Sequence, residues 1–479
     1  MIQGQNKTQR TNQRMIVLEM LLTEHVYSHL LVRDVLHKYN YLTQQEKAFI
    51  KRLYEGTLER QIELDYVIDQ YSKIKTDKMK KVIRVILRMS VYQILYMDGV
   101  PDAAACNEAV KLAQKKGFAS LKGFVNGVLR NIARNKGSLT YTSLSVKYSM
   151  PEWIVDLWTE QLGAERTETV LAGLLKEHPV TIRFRPVPDI PLEAAVQAVQ
   201  QALAAQGGSM EQHPYLSCAY RVSGTDDISR LPYYHEGAFV VQDVSSILAV
   251  KAVGIERYVN QGAMQTNQKT VRVLDVCAAP GGKSMLAADI LEQCSVQYSI
   301  VSRDLSTDKV ERMLENFERC GLRHMTAEPA DATVEEESLV GTADIVIADV
   351  PCSGLGVIGK KRDIKYNITQ NAIEDIAVLQ KRILAVAVRY LKPGGRLLFS
   401  TCTISQKENE QQFAWLRDKF NLTPLSLDDT LPACLHTETT RSGYLQLLPG
   451  VHDTDGFFMG VLCKHETSNG EQNDGERGI

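Results

Sequence analysis

From Gln13 to Arg134 the apolar residues recur every three or four positions, as at Val82, Val85, Ile86, Met89, Tyr92, Ile94 and Leu95, with polar breaks near Tyr41 and Lys78. That period lays an apolar stripe along each of several helices and predicts an all-helical bundle. Pro101 and Asp102 interrupt the pattern, and further helices are expected over 105–114 and 124–135. The stretch 140–235 reads differently. Pro151 suits the first turn of a helix, 180–184 and 219–222 are short extended runs, and 192–205 is an Ala/Gln-rich helix, so a small α+β unit is expected. From Val271 short β-branched runs at 271–276, 299–304, 343–350 and 396–401 alternate with helical segments at 283–293, 307–319, 370–391 and 407–419. Such alternation predicts a parallel, doubly wound sheet, whose ligands lie beyond the carboxyl ends of its strands. A Gln/Asn-rich spacer at 260–269 and a polar tail after His465 carry no periodic pattern. The expected divisions are 1–140, 141–235 and 236–465, with 466–479 as the tail.

Composition narrows the setting. With 479 residues, 44% apolar and 23% charged, the chain fills several soluble domains. No run of about 18 apolar residues occurs and the first residues are polar, so neither membrane insertion nor export is expected. The nine cysteines include no Cys-x-x-Cys pair, and His25 and His29 lack the Glu that would make them a metal motif. Reduced thiols in the cytoplasm and no metal site are therefore expected. The net charge of −2 hides a division: residues 1–139 carry 23 Lys and Arg against 13 Asp and Glu, a net +10, which leaves −12 for the remainder. A basic module joined to an acidic one points to a polyanion such as nucleic acid as partner of the first part.

Candidate chemistry clusters at the predicted strand ends. The first strand of the alternating region runs into Asp275-Val276-Cys277-Ala278-Ala279-Pro280-Gly281-Gly282-Lys283, a loop of small residues that delivers a ligand to a helix N-terminus. It is neither a P-loop, which needs a glycine where Cys277 stands, nor a Gly-x-Gly-x-x-Gly fingerprint. Asp304 ends the second strand, 22 residues after Gly282, where an acid accepts hydrogen bonds from ribose hydroxyls; Asp331 follows the third strand and suits an adenine amine. Two spaced acids without a pyrophosphate clamp fit S-adenosylmethionine better than NAD. The fourth strand ends Asp349-Val350-Pro351-Cys352-Ser353-Gly354 and the fifth Ser400-Thr401-Cys402-Thr403, so two thiols are expected at neighbouring strand ends. Pyrimidine carbon 5 is too weak a nucleophile to take a methyl group directly. A thiolate added at carbon 6 creates the enamine that can, and a base must then remove the carbon 5 proton. An ordinary thiol has a pKa of about 8.5, so the nucleophile needs a local positive field, which Lys283 or a sulfonium would supply. Spacing alone does not say which cysteine attacks.

The segments 273–284, 349–366 and 399–410 closely resemble the RNA cytosine-carbon-5 methyltransferases, and the chain as a whole resembles their RsmB/Sun (Fmu) branch, bacterial enzymes acting on 16S ribosomal RNA. Gln242-Asp243-Val244-Ser245-Ser246, Glu408-Asn409-Glu410 and Asp455-Gly456-Phe457-Phe458-Met459 fall in the family's order. Residues 79–134, with Asn107-Glu108-Ala109-Val110 and Phe124-Val125-Asn126-Gly127-Val128-Leu129, resemble the RNA-binding fold of the antitermination factor NusB. The resemblance implies an all-α NusB-like domain, a small α+β linking domain and an α/β Rossmann-like class I methyltransferase domain. It implies Cys402 as nucleophile, Cys352 as the residue assisting release, and Cys277, Ala278, Ala279, Pro280, Gly281, Gly282, Lys283, Asp304, Asp331 and Asp349 as S-adenosylmethionine contacts. The implied partner is 16S ribosomal RNA, free or in a partly assembled small subunit, bound by a monomer. Rival expectations are a transfer-RNA or DNA cytosine methyltransferase, or a non-catalytic RNA-binding assembly factor. The chain departs from the family at Leu355, where Thr is usual; at Gly359-Lys360-Lys361-Arg362, whose positive charge suits RNA phosphates; and at Arg183-Phe184-Arg185, where relatives read Arg-Val-Asn.

Overall fold

The computed structural model describes residues 12–23, 28–176, 179–225, 227–260 and 270–465. His25, the side chain of His29, most of the spacer and the tail after residue 465 lie outside these. No helix among the described residues is long and apolar enough to cross a membrane. The chain divides into two compact units. One is Met1–Leu175 with Ile358–Asn367; the other is Lys176–Val357 with Ile368–Ile479.

The first unit is helical. Its centre is the helix Lys81–Tyr96, ten of whose residues are buried, and this is where the expected apolar spacing is densest. The helix Gln44–Glu59 packs closely upon it: a Cβ at Gly56 would fall 2.0 Å from the Tyr92 ring, so only glycine permits this approach. Thr43 opens that helix with a capping box, its hydroxyl accepting from the Glu46 amide while Glu46 accepts from the Thr43 amide, which explains the break after Tyr41. Asp102–Lys115 and Lys122–Asn135 complete the periodic pattern.

The expected boundary at 140 does not hold as a limit of this unit, which continues through Glu152–Leu162 and Ala164–Leu174. Polar contacts bind the continuation. Tyr141 Oη donates to the buried Glu63 at 2.6 Å, and the amide of Ile62 donates to Ser149 Oγ at 3.1 Å. The segment Ile358–Asn367 joins the same unit from far along the chain. Arg362 pairs with Glu55 at 3.3 Å and Glu59 at 3.1 Å, and Lys365, 1% exposed, donates to the carbonyls of Glu59 at 2.7 Å and Ser149 at 2.6 Å. Arg362, one of the three cations of the basic loop, is thus engaged with carboxylates.

The second unit holds two sheets. The smaller contains β1 (Val180–Phe184), β2 (Ser209–His213), β3 (Leu216–Ser223) and β4 (Phe239–Val241), antiparallel in the order β2-β3-β1-β4. It takes β4 from beyond the expected division at 235. The larger contains β5 (Val271–Asp275), β6 (Tyr298–Asp304), β7 (Met325–Pro329), β8 (Ala343–Asp349), β9 (Leu391–Thr401), β10 (Leu422–Pro424), β11 (Tyr444–Leu447) and β12 (Phe457–Lys464). Its order is β10-β12-β9-β8-β5-β6-β7, with β11 paired to β12. The strands β7, β6, β5, β8 and β9 are parallel as expected, but β12 runs antiparallel to β9, so the sheet is mixed. A continuous apolar run such as 457–463 does not encode its own direction.

A buried ion cluster fastens the small sheet to the helix Gly282–Gln293. Arg183 and Arg185 both pair with Asp289, at 2.6 and 2.7 Å, with all three side chains at most 3% exposed. Arg183 Nε also donates to Gln242 at 2.7 Å, and Gln242 Nε2 donates to the Gly282 carbonyl at 3.0 Å. Arg185, which stands where relatives have Asn, is therefore an internal brace; it also donates to the carbonyls of Gly237 and Cys320.

Burial pushes Lys365 down from 10.5 to about 7. Between those values the unfolded chain binds a proton that the native lysine lacks, so this residue makes stability rise with pH, by up to about 1.4 kcal/mol per unit. Urea unfolding of the full chain at about pH 7 and about pH 9 should show that contribution, and Lys365→Met should lack it.

Candidate functional site

The side chains singled out from sequence converge at the carboxyl ends of β5, β6, β8 and β9. At the end of β5 Asp275 is fully buried; burial raises its carboxyl to about 7, against the hydrogen bond from Ser284 Oγ at 2.7 Å. Its other oxygen is buried without a hydrogen-bond partner. The loop then turns tightly. The Gly281 amide donates to the Ala278 carbonyl at 2.7 Å, Ala279-Pro280 is cis, and Gly281 has φ +96°, where a Cβ would also fall 2.9 Å from Phe317. Cys277 is an inert thiol here, pushed up chiefly by burial and further by Asp275.

Lys283, in the first turn of the helix, donates to Asp349 at 2.6 Å, and Ser400 Oγ donates to the other Asp349 oxygen at 2.7 Å. The lysine charge is spent on this carboxylate, so Lys283 is not the unpaired positive field that a thiolate would need. Asp304 closes β6 with its side chain 10% exposed, held by Lys309 at 3.2 Å and by the Ser306 amide at 3.3 Å. Asp331 follows β7, exposed, and accepts from the amide and hydroxyl of Thr333 at 2.8 and 2.7 Å.

Cys352 and Cys402 meet, their sulfurs 3.3 Å apart and partly exposed. The register of β8 against β9 produces this: Asp349 stands opposite Ser400, the Val350 amide donates to the Ser400 carbonyl at 3.1 Å, and each cysteine follows its strand within a few residues. The Cys352 thiol is pushed well above its ordinary value, first by its hydrogen bond with Cys402 and then by burial. Beneath Cys402 the backbone is crowded. The Gly356 amide donates to the Cys402 carbonyl at 3.1 Å, and a Cβ at Gly356 would fall 1.9 Å from the Gly456 carbonyl oxygen.

Sequence reasoning gave no role to the polar groups that hold these loops. The Ser353 amide and hydroxyl donate to Glu408 at 2.7 and 2.6 Å, and Ser353 Oγ lies 2.6 Å from Thr403 Oγ1. Asn409 donates to the Thr403 carbonyl at 3.1 Å and to Gln446 at 2.7 Å, while Gln380 donates to the Pro351 carbonyl at 3.0 Å. The one available signal was a cluster of polar residues next to each cysteine. No period links partners 50 or more residues apart.

Two adjacent thiols beside a carboxylate, facing a glycine turn with a second acid on the next strand, can form a covalent bond to a planar substrate while holding a small polar cofactor nearby. Known proteins share the pattern. Residues 263–463 match the family described as 16S rRNA methyltransferase RsmB/F, and residues 11–134 match the NusB family. A Bacillus subtilis protein named "Probable ribosomal RNA small subunit methyltransferase B" is 32% identical over 95% of this chain and 99% of its own length. The ribosomal RNA small subunit methyltransferase B of Klebsiella pneumoniae is 28% identical over 88% of this chain and 91% of its own. Among solved structures, PH0851 shares the fold with a TM-score of 0.72 at 23% identity, covering 94% of this chain and 98% of that one. NSun6 from Pyrococcus horikoshii, solved with SFG, has a TM-score of 0.52 at 19% identity over 66% of this chain and 98% of its own. With a helical NusB segment, a Rossmann-like sheet and a relative matching nearly end to end, the chain belongs to the RsmB/F family of 16S rRNA methyltransferases.

Proposed function

We propose that the protein methylates carbon 5 of a cytosine in 16S ribosomal RNA, using S-adenosylmethionine and a transient bond from Cys402 to carbon 6. The observation that carries this reading is the 3.3 Å separation of two thiols at adjacent strand ends, next to Asp349. Methylation of an amine needs no thiol, whereas pyrimidine carbon 5 chemistry needs one to add and benefits from a second group at the elimination step.

The residues present fit S-adenosylmethionine. Gly281 has no room for a side chain, so backbone can approach a ligand there, and the unpartnered oxygen of Asp275 lies beneath the same loop. Cys277, Ala278, Ala279, Pro280, Gly281, Gly282 and Lys283 would hold its amino-acid end at the helix N-terminus. Asp304 would accept from the ribose hydroxyls and Asp331 from the adenine amine. When bound, the cofactor supplies an electrophilic methyl group on a sulfonium.

The protein's own groups perform the remaining work. The target base must leave its stack, because carbon 6 is attacked above the ring face. Asp349, held between Lys283 and Ser400, would meet the polar edge of that base. Cys402 adds to carbon 6, and after methylation the carbon 5 proton is removed as the carbon–sulfur bond breaks. Cys352 is the base of that step: its thiolate takes the carbon 5 proton as the bond to carbon 6 breaks and Cys402 leaves as a thiolate. The net +10 of residues 1–139 suits RNA phosphates, and a cytoplasmic monomer acting on free RNA or an assembling small subunit is the corresponding setting.

Three outcomes follow for purified protein with 16S RNA. Cys402→Ala should abolish both methyl transfer and the covalent RNA adduct while leaving S-adenosylmethionine affinity within about twofold by calorimetry, as for loss of a group outside the cofactor's hydrogen bonds; normal turnover would remove Cys402 as nucleophile. Cys352→Ala should add but release slowly, so denaturation-resistant protein–RNA adducts should accumulate on gels. Asp304→Ala should weaken S-adenosylmethionine binding about tenfold or more, the loss of a charged hydrogen bond worth roughly 1.5–3 kcal/mol.

A further inference from the structure

We infer that Glu408 is a positioning residue whose task is to set the separation of the two cysteine sulfurs. Glu408 is fully buried, and burial raises its carboxyl above the ordinary value. A carboxylate in that position is costly unless hydrogen bonds recover its lost hydration. Most of the recovery comes from Ser353, which gives both its amide and its hydroxyl, at 2.7 and 2.6 Å, with a further hydrogen bond from the Ser405 side chain. Ser353 immediately follows Cys352.

The same hydroxyl lies 2.6 Å from the hydroxyl of Thr403, which immediately follows Cys402. With its single proton given to Glu408, Ser353 Oγ must accept from Thr403, so the donors run in one direction from Thr403 through Ser353 to the carboxylate. The result is a closed ring: Cys352 to Ser353 by peptide bond, Ser353 to Thr403 by hydrogen bond, Thr403 to Cys402 by peptide bond, and Cys402 to Cys352 across 3.3 Å. Glu408 holds the one member of that ring that both loops share. Its effect on the reaction passes through the place where Cys352 is held, and its negative charge also helps to push the Cys352 thiol up.

The catalytic consequence rests on the reading of Cys352 as the residue assisting release; the geometric consequence does not. Two measurements on the full chain separate them. The first is bridging of the thiols by dibromobimane, read as joined Cys352 and Cys402 peptides by mass spectrometry. Glu408→Ala should lower the yield several-fold. Glu408→Gln should restore most of it, because the amide can accept from the Ser353 amide and reverse the hydroxyl chain. Unchanged bridging in Glu408→Ala, or a Gln variant as defective as Ala, would overturn the inference. Should Glu408→Ala fail to fold, Ser353→Ala decides in its place: it removes only the shared hydroxyl and should lower bridging in the same way, and wild-type yield there would overturn the inference. The second measurement is the RNA adduct. Glu408→Ala should accumulate it as Cys352→Ala does, with S-adenosylmethionine affinity unchanged. If Cys352→Ala yields no adduct while bridging still falls in Glu408→Ala, the release role of Cys352 fails and the positioning role of Glu408 stands.

Discussion

Adjacent strands in a sheet are held about 4.8 Å apart by their backbone hydrogen bonds, and in a parallel pair both chains leave the sheet at the same edge. That spacing is what the site depends on. Residues 50 apart in sequence, Cys352 and Cys402, become neighbours because β8 and β9 are paired with Asp349 opposite Ser400. A slip of one residue would turn every side chain of β9 to the other face and take Cys402 away from Cys352. The register is in turn secured by the apolar residues of both strands, Ile345, Val346 and Ile347 against Leu397, Leu398 and Phe399, all fully buried. Packing in the sheet interior thereby determines a sulfur–sulfur distance at its rim.

Charges are arranged in the same spirit, as fixed pairs. Asp349 is shared between Lys283, from the helix that follows the glycine turn, and Ser400 from β9, so one carboxylate ties that turn to the side with the thiols. Asp289 does the same for the small sheet, drawing Arg183 and Arg185 onto the helix that begins at the glycine turn. Pairs this deeply buried contribute little net stability, because desolvation offsets much of their attraction. Their effect is on geometry: each admits a single arrangement of the elements it joins.

Much of this was legible in the sequence, and what was legible was local. The runs 271–276, 299–304 and 343–350 differ from the strands by a residue at either end, because β-branched runs bounded by turn residues specify their own extent. The small-residue loop, the acid closing β6 and the two cysteines beyond β8 and β9 were readable for the same reason. Direction and partnership were not. The run 457–463 carries no charged or strongly polar side chain and gives no sign that it enters antiparallel. Tyr141 and Ser149 carry no periodic signal that they complete the helical unit, since their contribution is a hydrogen bond to a distant residue. Gly359 to Arg362 looked like a phosphate-binding loop on charge alone, yet the positions of Glu55 and Glu59 give Arg362 its partners. Glu408 lay in a recognisable motif, but its partner is 55 residues away and nothing in the pattern connects them.

The excursion of Ile358–Asn367 into the helical unit has a temporal consequence. The carbonyls of Glu59 and Ser149 that receive Lys365 are synthesised 306 and 216 residues before it. As the polypeptide emerges in order, the bundle must wait with that socket open, solvated and lacking its last brace, until most of the second unit has been translated. The helical unit therefore reaches its final form only after residue 367 has been made, while Cys402 and the strands β9 to β12 are still to come.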